Sequence, residues 1–171
     1  PAEYDHKSHW VDILRTNSYV TLSNKFEKAE GGLKVYYMKG DHDLYDGWKS
    51  TDQNVGLSLY QGLRLFENNL LNVGFDAKRY GGKGTATSLG EISGKWLDVK
   101  ETGAYAIVQH TFFERLTLNS GIRYDHHSLY GGEWIPQFGA AAEISKSSTL
   151  KASASKGFRN PTIRELYLFP P

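Results

Sequence analysis

The dominant pattern in this chain is alternation. In Val55-Gly-Leu-Ser-Leu-Tyr-Gln-Gly-Leu-Arg-Leu, one set of alternate positions holds Val55, Leu57, Leu59, Leu63 and Leu65, and the other holds Gly56, Ser58, Tyr60, Gly62 and Arg64. Period two places each set on one face of a β-strand. The same holds for Leu116, Leu118, Ile122 and Tyr124 against Thr117, Asn119, Gly121, Arg123 and Asp125, and for Leu150, Ala152 and Ala154 against Thr149, Lys151, Ser153 and Ser155. About eight such segments run near 15–27, 33–40, 52–66, 70–80, 99–113, 116–127, 134–145 and 149–158. Their length, roughly 9–14 residues, exceeds the usual soluble strand and suits a tilted strand crossing a bilayer. No helix of useful length and no repeat beyond the hairpin period is visible.

The connections sort by length. Short ones fall at 28–32, 67–69, 114–115 and 146–148; long ones are expected at 40–50, 81–98 and 126–133. Short turns at one end and long loops at the other are the up-and-down pattern of outer-membrane barrels, which a Greek-key sandwich has no reason to follow. Aromatics mark both ends: Phe26, Phe66, Phe112 and Phe113 beside short turns, and Tyr45, Trp48, Tyr80, Tyr124, Tyr130 and Trp134 near the long loops. Two rings of aromatics resemble membrane-interface girdles, although aromatics favour strand ends in any β-protein.

Composition narrows the picture. The 171 residues suit one domain, with no apolar run long enough for a membrane helix. The mean hydropathy of −0.51 does not exclude a barrel, whose strands dilute apolar residues with polar ones. The 18 glycines and 11 tyrosines fit barrels and sandwiches alike, and the absence of cysteine removes disulfides and thiolate metal sites. A net charge of +1 gives no footprint for nucleic acid. The chain opens at Pro1 without a signal peptide and closes on Phe169-Pro170-Pro171, so it reads as a piece of a longer chain or a processed form.

The last alternating strand runs into Gly157-Phe158-Arg159-Asn160-Pro161, followed by Arg164-Glu165-Leu166-Tyr167. This ending resembles the barrel of TonB-dependent outer-membrane receptors. Gly103-Ala-Tyr-Ala-Ile-Val-Gln-His, Arg115 to Asp125, and Pro136-Gln-Phe-Gly-Ala-Ala resemble further strands of that family, in the family's order. The resemblance implies an all-β, antiparallel, up-and-down transmembrane barrel of 22 strands, of which residues 1–171 would supply about eight as a partial barrel domain. The plug domain and the TonB-engaging segment would be absent, and residues 159–171 would form an extracellular rim loop. It implies a receptor in the outer membrane of a Gram-negative bacterium, importing a scarce nutrient such as a metal chelate of siderophore, haem or cobalamin type. Its partners would be outer-membrane lipid, TonB through the missing N-terminal part, and the small-molecule or metal-chelate ligand. No cofactor, catalytic residue or resident metal is implied, and nucleic acid is not a partner. Gly157, Phe158, Arg159, Pro161, Arg164 and Glu165 would be structural, with Pro161 ending the strand because it lacks a ladder donor.

Polar mid-strand positions, Arg64, Asp76, Lys78, Arg123, Asp125, Glu143 and Lys151, would line a wet lumen, where charges stay hydrated. The solvent face of an open soluble sheet gives the same alternation. Ligand groups are expected in the long loops: Asp41, His42, Asp43, Tyr45 and Trp48 in one, His126, His127, Tyr130 and Trp134 in another. Carboxylates with imidazole suit a metal or a chelate, while a solvated polar loop is the plainer reading. Adjacent His126 and His127 would point to opposite faces if the strand persists.

Three other classes compete. A small autonomous outer-membrane barrel with a structural or adhesion role would end on a strand. A soluble carbohydrate-binding β-sandwich would use loop Trp and Tyr for stacking. An outer-membrane hydrolase would need Asp125 and His126 or His127 to activate a nucleophile, and no Gly-x-Ser-x-Gly element is present. An isolated third of a barrel should carry two unpaired edges unless its strands close on themselves.

Overall fold

The computed structural model describes residues 9–85, 87–157 and 159. Eight strands, β1 (Val11–Lys25), β2 (Ala29–Leu44), β3 (Lys49–Leu63), β4 (Asn69–Thr85), β5 (Leu97–Phe112), β6 (Leu116–His127), β7 (Gly131–Ser145) and β8 (Ser148–Ser155), form one antiparallel sheet in chain order. Among the described residues β1 and β8 do not pair with each other, so the sheet is open at both edges.

The registers carry the alternation from strand to strand. Leu22, Leu33, Leu59, Phe75, Ala104, Tyr124 and Trp134 form one continuous row of cross-strand partners on the apolar face. The row starts near the lower end of β1 and finishes near the upper end of β7. This stagger is what closing strands around a tilted barrel axis requires. On the opposite face Ser58, Asp76, Gly103, Asp125 and Glu133 form another row.

There is almost no interior. Among the described residues Val99, at 1% exposure, is the buried hydrophobic, while Val20, Leu22, Leu59, Phe75, Ile122 and Phe138 are all at least 41% exposed. The chain exposes 12611 Å², against about 8,400 Å² for a compact monomer of its mass. A sheet so rich in exposed apolar side chains needs a covering medium or partner.

Large inward side chains lie over cross-strand glycines: Tyr36 over Gly56, Tyr60 over Gly32 and Tyr105 over Gly74, each a direct pair on the polar face. A ring flattened over a glycine fills the missing side-chain volume and fixes register. At the lower end three residues separate the paired Phe112 and Leu116, and Phe113 and Glu114, inside the turn that the Arg115 N–H closes onto the Phe112 carbonyl at 3.0 Å, both adopt left-handed backbone, φ 52° and 60°, as a primed turn demands. Phe113, 91% exposed, is held in this costly conformation with its ring projecting from the turn.

The structure departs from the sequence expectation at the upper end. The segments 40–50 and 126–133 are mostly strand: β2 and β3 turn only at 45–48, and β6 and β7 only at 128–130. Among the described residues only the connection between β4 and β5, with a short 3₁₀ segment at Thr87–Ile92, is long. There the backbone of Gly94 donates to the Gly84 carbonyl at 2.7 Å. Arg64 lies past the end of β3, in the turn, rather than mid-strand. Tyr80 points to the polar face, donating to Glu101, and is not part of a girdle.

Candidate functional site

The polar face gathers its charges around Gly103. Asp76 on β4 and Asp125 on β6 flank this residue in one row. Because Gly103 has no side chain, Arg123 crosses the gap: its Nε donates to Asp125 Oδ1 at 2.7 Å and its Nη1 to Asp76 Oδ2 at 2.9 Å. A Cβ at 103 would collide with Arg123 Nη2 and Asp125 Oδ1. Ser58 donates to the other Asp76 oxygen at 2.6 Å, and the Arg123 guanidinium stands 5.7 Å from the Tyr105 ring centroid, within cation–π reach. Two carboxylates thus share one planar donor that can serve both.

The adjacent row holds a second cluster. Glu101 accepts from Lys78 Nζ at 2.9 Å and from the Tyr80 hydroxyl at 2.5 Å. His127, 1% exposed, accepts the Leu129 backbone N–H at Nδ1 (3.2 Å), and its buried Nε2 stands 3.8 Å from Glu101 Oε1. Tyr36, Ser58, Asp76, Lys78, Glu101 and Arg123 contribute to a surface hollow of about 250 Å³. The hollow carries three carboxylates and two cations, so it offers both signs of charge to a polar partner.

The residues expected to bind ligand do not converge. Strand pairing puts Asp41, Asp43, His126 and Trp134 on the apolar side's face, and His42 and His127 on the polar one. Asp43 pairs with Lys49 at 2.7 Å, and Asp41 takes Lys39 Nζ at 2.8 Å and the Thr51 hydroxyl at 2.9 Å. Asp41 lies above the apolar belt, and its hydrogen bond to Lys39, then that to Thr51, lowers its carboxyl below the ordinary value. His42 sits among Ser50 (3.3 Å), Arg15 (3.4 Å) and Asp52 (3.5 Å). Tyr45 and Trp48 occupy the β2–β3 turn, Tyr45 packing on His9 at 4.4 Å, and Tyr130 stacks on His127 at 5.1 Å across the β6–β7 turn. Trp134 packs on Tyr124 at 4.8 Å and is 57% exposed. The β2–β3 and β6–β7 hairpins are separated by β4 and β5. No group of three or more His, Asp or Glu side chains able to hold a metal occurs among the described residues.

Of the terminal motif, Gly157 and Arg159 are described; Phe158, Pro161, Arg164 and Glu165 lie outside the described residues. Asp125 and His126 fall on opposite faces, and Asp125 is engaged by Arg123, an arrangement unlike a hydrolytic dyad. Glu101 and Tyr36 escaped the sequence reading, which placed Gly103 and Tyr105 in a barrel strand but not in a site. Their only signal was placement at polar-face positions of strongly alternating strands.

The model of the family described as "TonB dependent receptor-like, beta-barrel" matches residues 2–170. The chain belongs to this family, and its sheet is a segment of such a barrel. Similar solved structures include the siderophore receptor PirA from Pseudomonas aeruginosa, 20% identical, TM-score 0.83, covering 91% of this chain and 28% of that one. A mutant of the ferric enterobactin receptor PfeA from Pseudomonas aeruginosa is 15% identical, TM-score 0.82, covering 91% and 27%. The copper transporter OprC is 17% identical, TM-score 0.70, covering 90% and 31%. The chain thus spans less than a third of these solved chains. No curated protein sequence matches it.

Proposed function

We propose that this chain is barrel wall from an outer-membrane receptor of a Gram-negative bacterium that imports a scarce nutrient, a metal chelate, with energy delivered through TonB. The observation that carries the reading is the two-faced sheet itself. One face presents an apolar belt over which no layer lies among the described residues; the other presents paired charges over glycines. Lipid would cover the first and a wet lumen the second, with the backbone groups of the two edge strands satisfied by the neighbouring strands of the complete barrel. A soluble sandwich would need a second sheet over the belt.

The neighbours described as a siderophore receptor and as a ferric enterobactin receptor, the latter in complex with enterobactin, support a ferric chelate as ligand class; the neighbour described as a copper transporter supports a metal-linked ligand. The ligand-facing groups would be those at the upper turns or on the polar face: His42, Tyr45, Trp48 and Tyr130. The TonB contact would be made by chain outside residues 1–171.

The test is uptake of radiolabelled iron as a ferric catecholate by cells with and without the intact gene, in the presence and absence of TonB. Uptake lost in both deletions supports the reading. Uptake unchanged in the gene deletion, under iron limitation and with no other catecholate receptor expressed, refutes iron-chelate import.

A further inference from the structure

The apolar face changes character at its upper edge in a set order. Moving up each strand on that face, the first ionisable group above the belt is basic on four strands: Lys39 after Tyr37 on β2, Arg79 after Ala77 on β4, Lys100 after Ala104 and Thr102 on β5, and His126 after Tyr124 on β6. Carboxylates come one step higher, Asp41 above Lys39 and Asp98 above Lys100. Arg79 and Lys100 are direct cross-strand partners. Two cations so placed repel each other and destabilise a sheet unless an anion lies between them. Asp98 supplies part of that charge, accepting from Arg79 Nε at 2.8 Å. The Lys100 ammonium has no side-chain partner among the described residues. Lys83 stands four residues above Arg79 on the same face, likewise with no ion pair among the described residues.

We infer that Arg79 and Lys100, flanked by Lys83, bind the phosphate of an anionic lipid in the surrounding leaflet. The inference rests on the proposal that the apolar face meets lipid. Charge complementarity argues for it: an acyl chain lying on Ala77 and Ala104 brings its headgroup to the height of the two cations. Arg presents a planar donor fork, and Lys a compact charge, to phosphate oxygens.

The intact barrel protein in neutral detergent would be titrated with diphosphorylated lipid A, and retention read by native mass spectrometry. Comparison lipids are the same molecule stripped of phosphate and a zwitterionic phosphatidylcholine. Each cation near an anionic surface is worth about fivefold in binding, so Arg79→Gln/Lys100→Gln should weaken retention about 25-fold. Asp98→Asn, which removes the competing carboxylate, should strengthen it. Lys100→Ala alone, which breaks no ion pair, should cost about fivefold and guards against misfolding of the double variant. Equal retention of phosphorylated and stripped lipid, or no loss in Lys100→Ala, overturns the inference. Full competition by millimolar inorganic phosphate overturns it too, assigning the site to a soluble anion. Failure of the wild-type protein to show heat-modifiable migration would sink the membrane reading beneath it, a result distinct from folded protein without phosphate preference.

Discussion

Arginine at Leu59 separates a lipid-facing sheet from a water-facing one. Leu59 is 47% exposed and lies midway along the β3 belt, between Val55 and Leu63, with Leu33 and Phe75 as lateral neighbours. From residue 55 to 63 the strand advances about 26 Å, and a tilt of about 40° reduces this to about 20 Å along the membrane normal, close to the belt height of known barrels. Leu59 would therefore sit near the midplane, where arginine costs about 2–4 kcal/mol. That lowers the folding equilibrium by a factor of about 30 to 1,000. Gln53→Arg is the internal control. It is on the same strand and face, three outward-facing positions higher, where the cost falls to about 0–1 kcal/mol. The assay is reversible denaturant unfolding of the barrel protein in phosphatidylcholine vesicles, followed by tryptophan fluorescence and heat-modifiable migration. On a solvated sheet, both substitutions would stay within about 0.5 kcal/mol of wild type. Equal effects at the two positions refute the membrane argument.

Three further outcomes follow from the geometry. Gly74→Val drives a branched side chain into the Tyr105 ring and should destabilise by about 1–3 kcal/mol, with Tyr105→Ala in the same chain recovering part of the loss; additive losses in the double variant would contradict the pairing. Arg123→Ala leaves Asp76 and Asp125 facing each other, and partial exposure limits the cost to about 1–2 kcal/mol; Arg123→Lys should restore less than half, because one ammonium cannot span both carboxylates, and full recovery in thermal unfolding would count against the bridging role. Trp134 fluorescence, isolated as the signal lost on Trp134→Phe in the intact barrel, should be quenched by lipids brominated near the headgroup more than by lipids brominated near the chain end; quenching by aqueous iodide alone would remove it from the interface.

Strand existence and facing were legible because the belt residues mostly obey period two, as in Val55, Leu57, Leu59 and Leu63 against Gly56, Ser58 and Gly62, although Gln61 and Ser120 interrupt the outward rows of β3 and β6. The upper strand ends were not, for a physical reason. Above the belt both faces of β2 meet polar surroundings, so Gly40-Asp-His-Asp loses its alternation while its ladder continues through Asp41–Thr51 and His42–Ser50 pairs. Hydrophobic pattern reports what covers a strand, not whether it is hydrogen-bonded. The Gly103 cluster was hidden differently: Arg123 and Asp76 are 47 residues apart, and only the register of three strands brings them together. The turn at 113–114 carries neither Gly nor Asn, so its primed geometry left no mark on the sequence.

Among the described residues each strand pairs only with its neighbours in chain order. An architecture wired solely between consecutive hairpins has a simple arithmetic of growth. A hairpin can be duplicated or deleted by one continuous edit, leaving the registers of the remaining pairs intact. The circumference of such a wall is therefore open to change by steps of two strands, while the chemistry written on each hairpin travels with it. Divergence at 14–20% identity with a shared backbone trace is what such inheritance would leave behind.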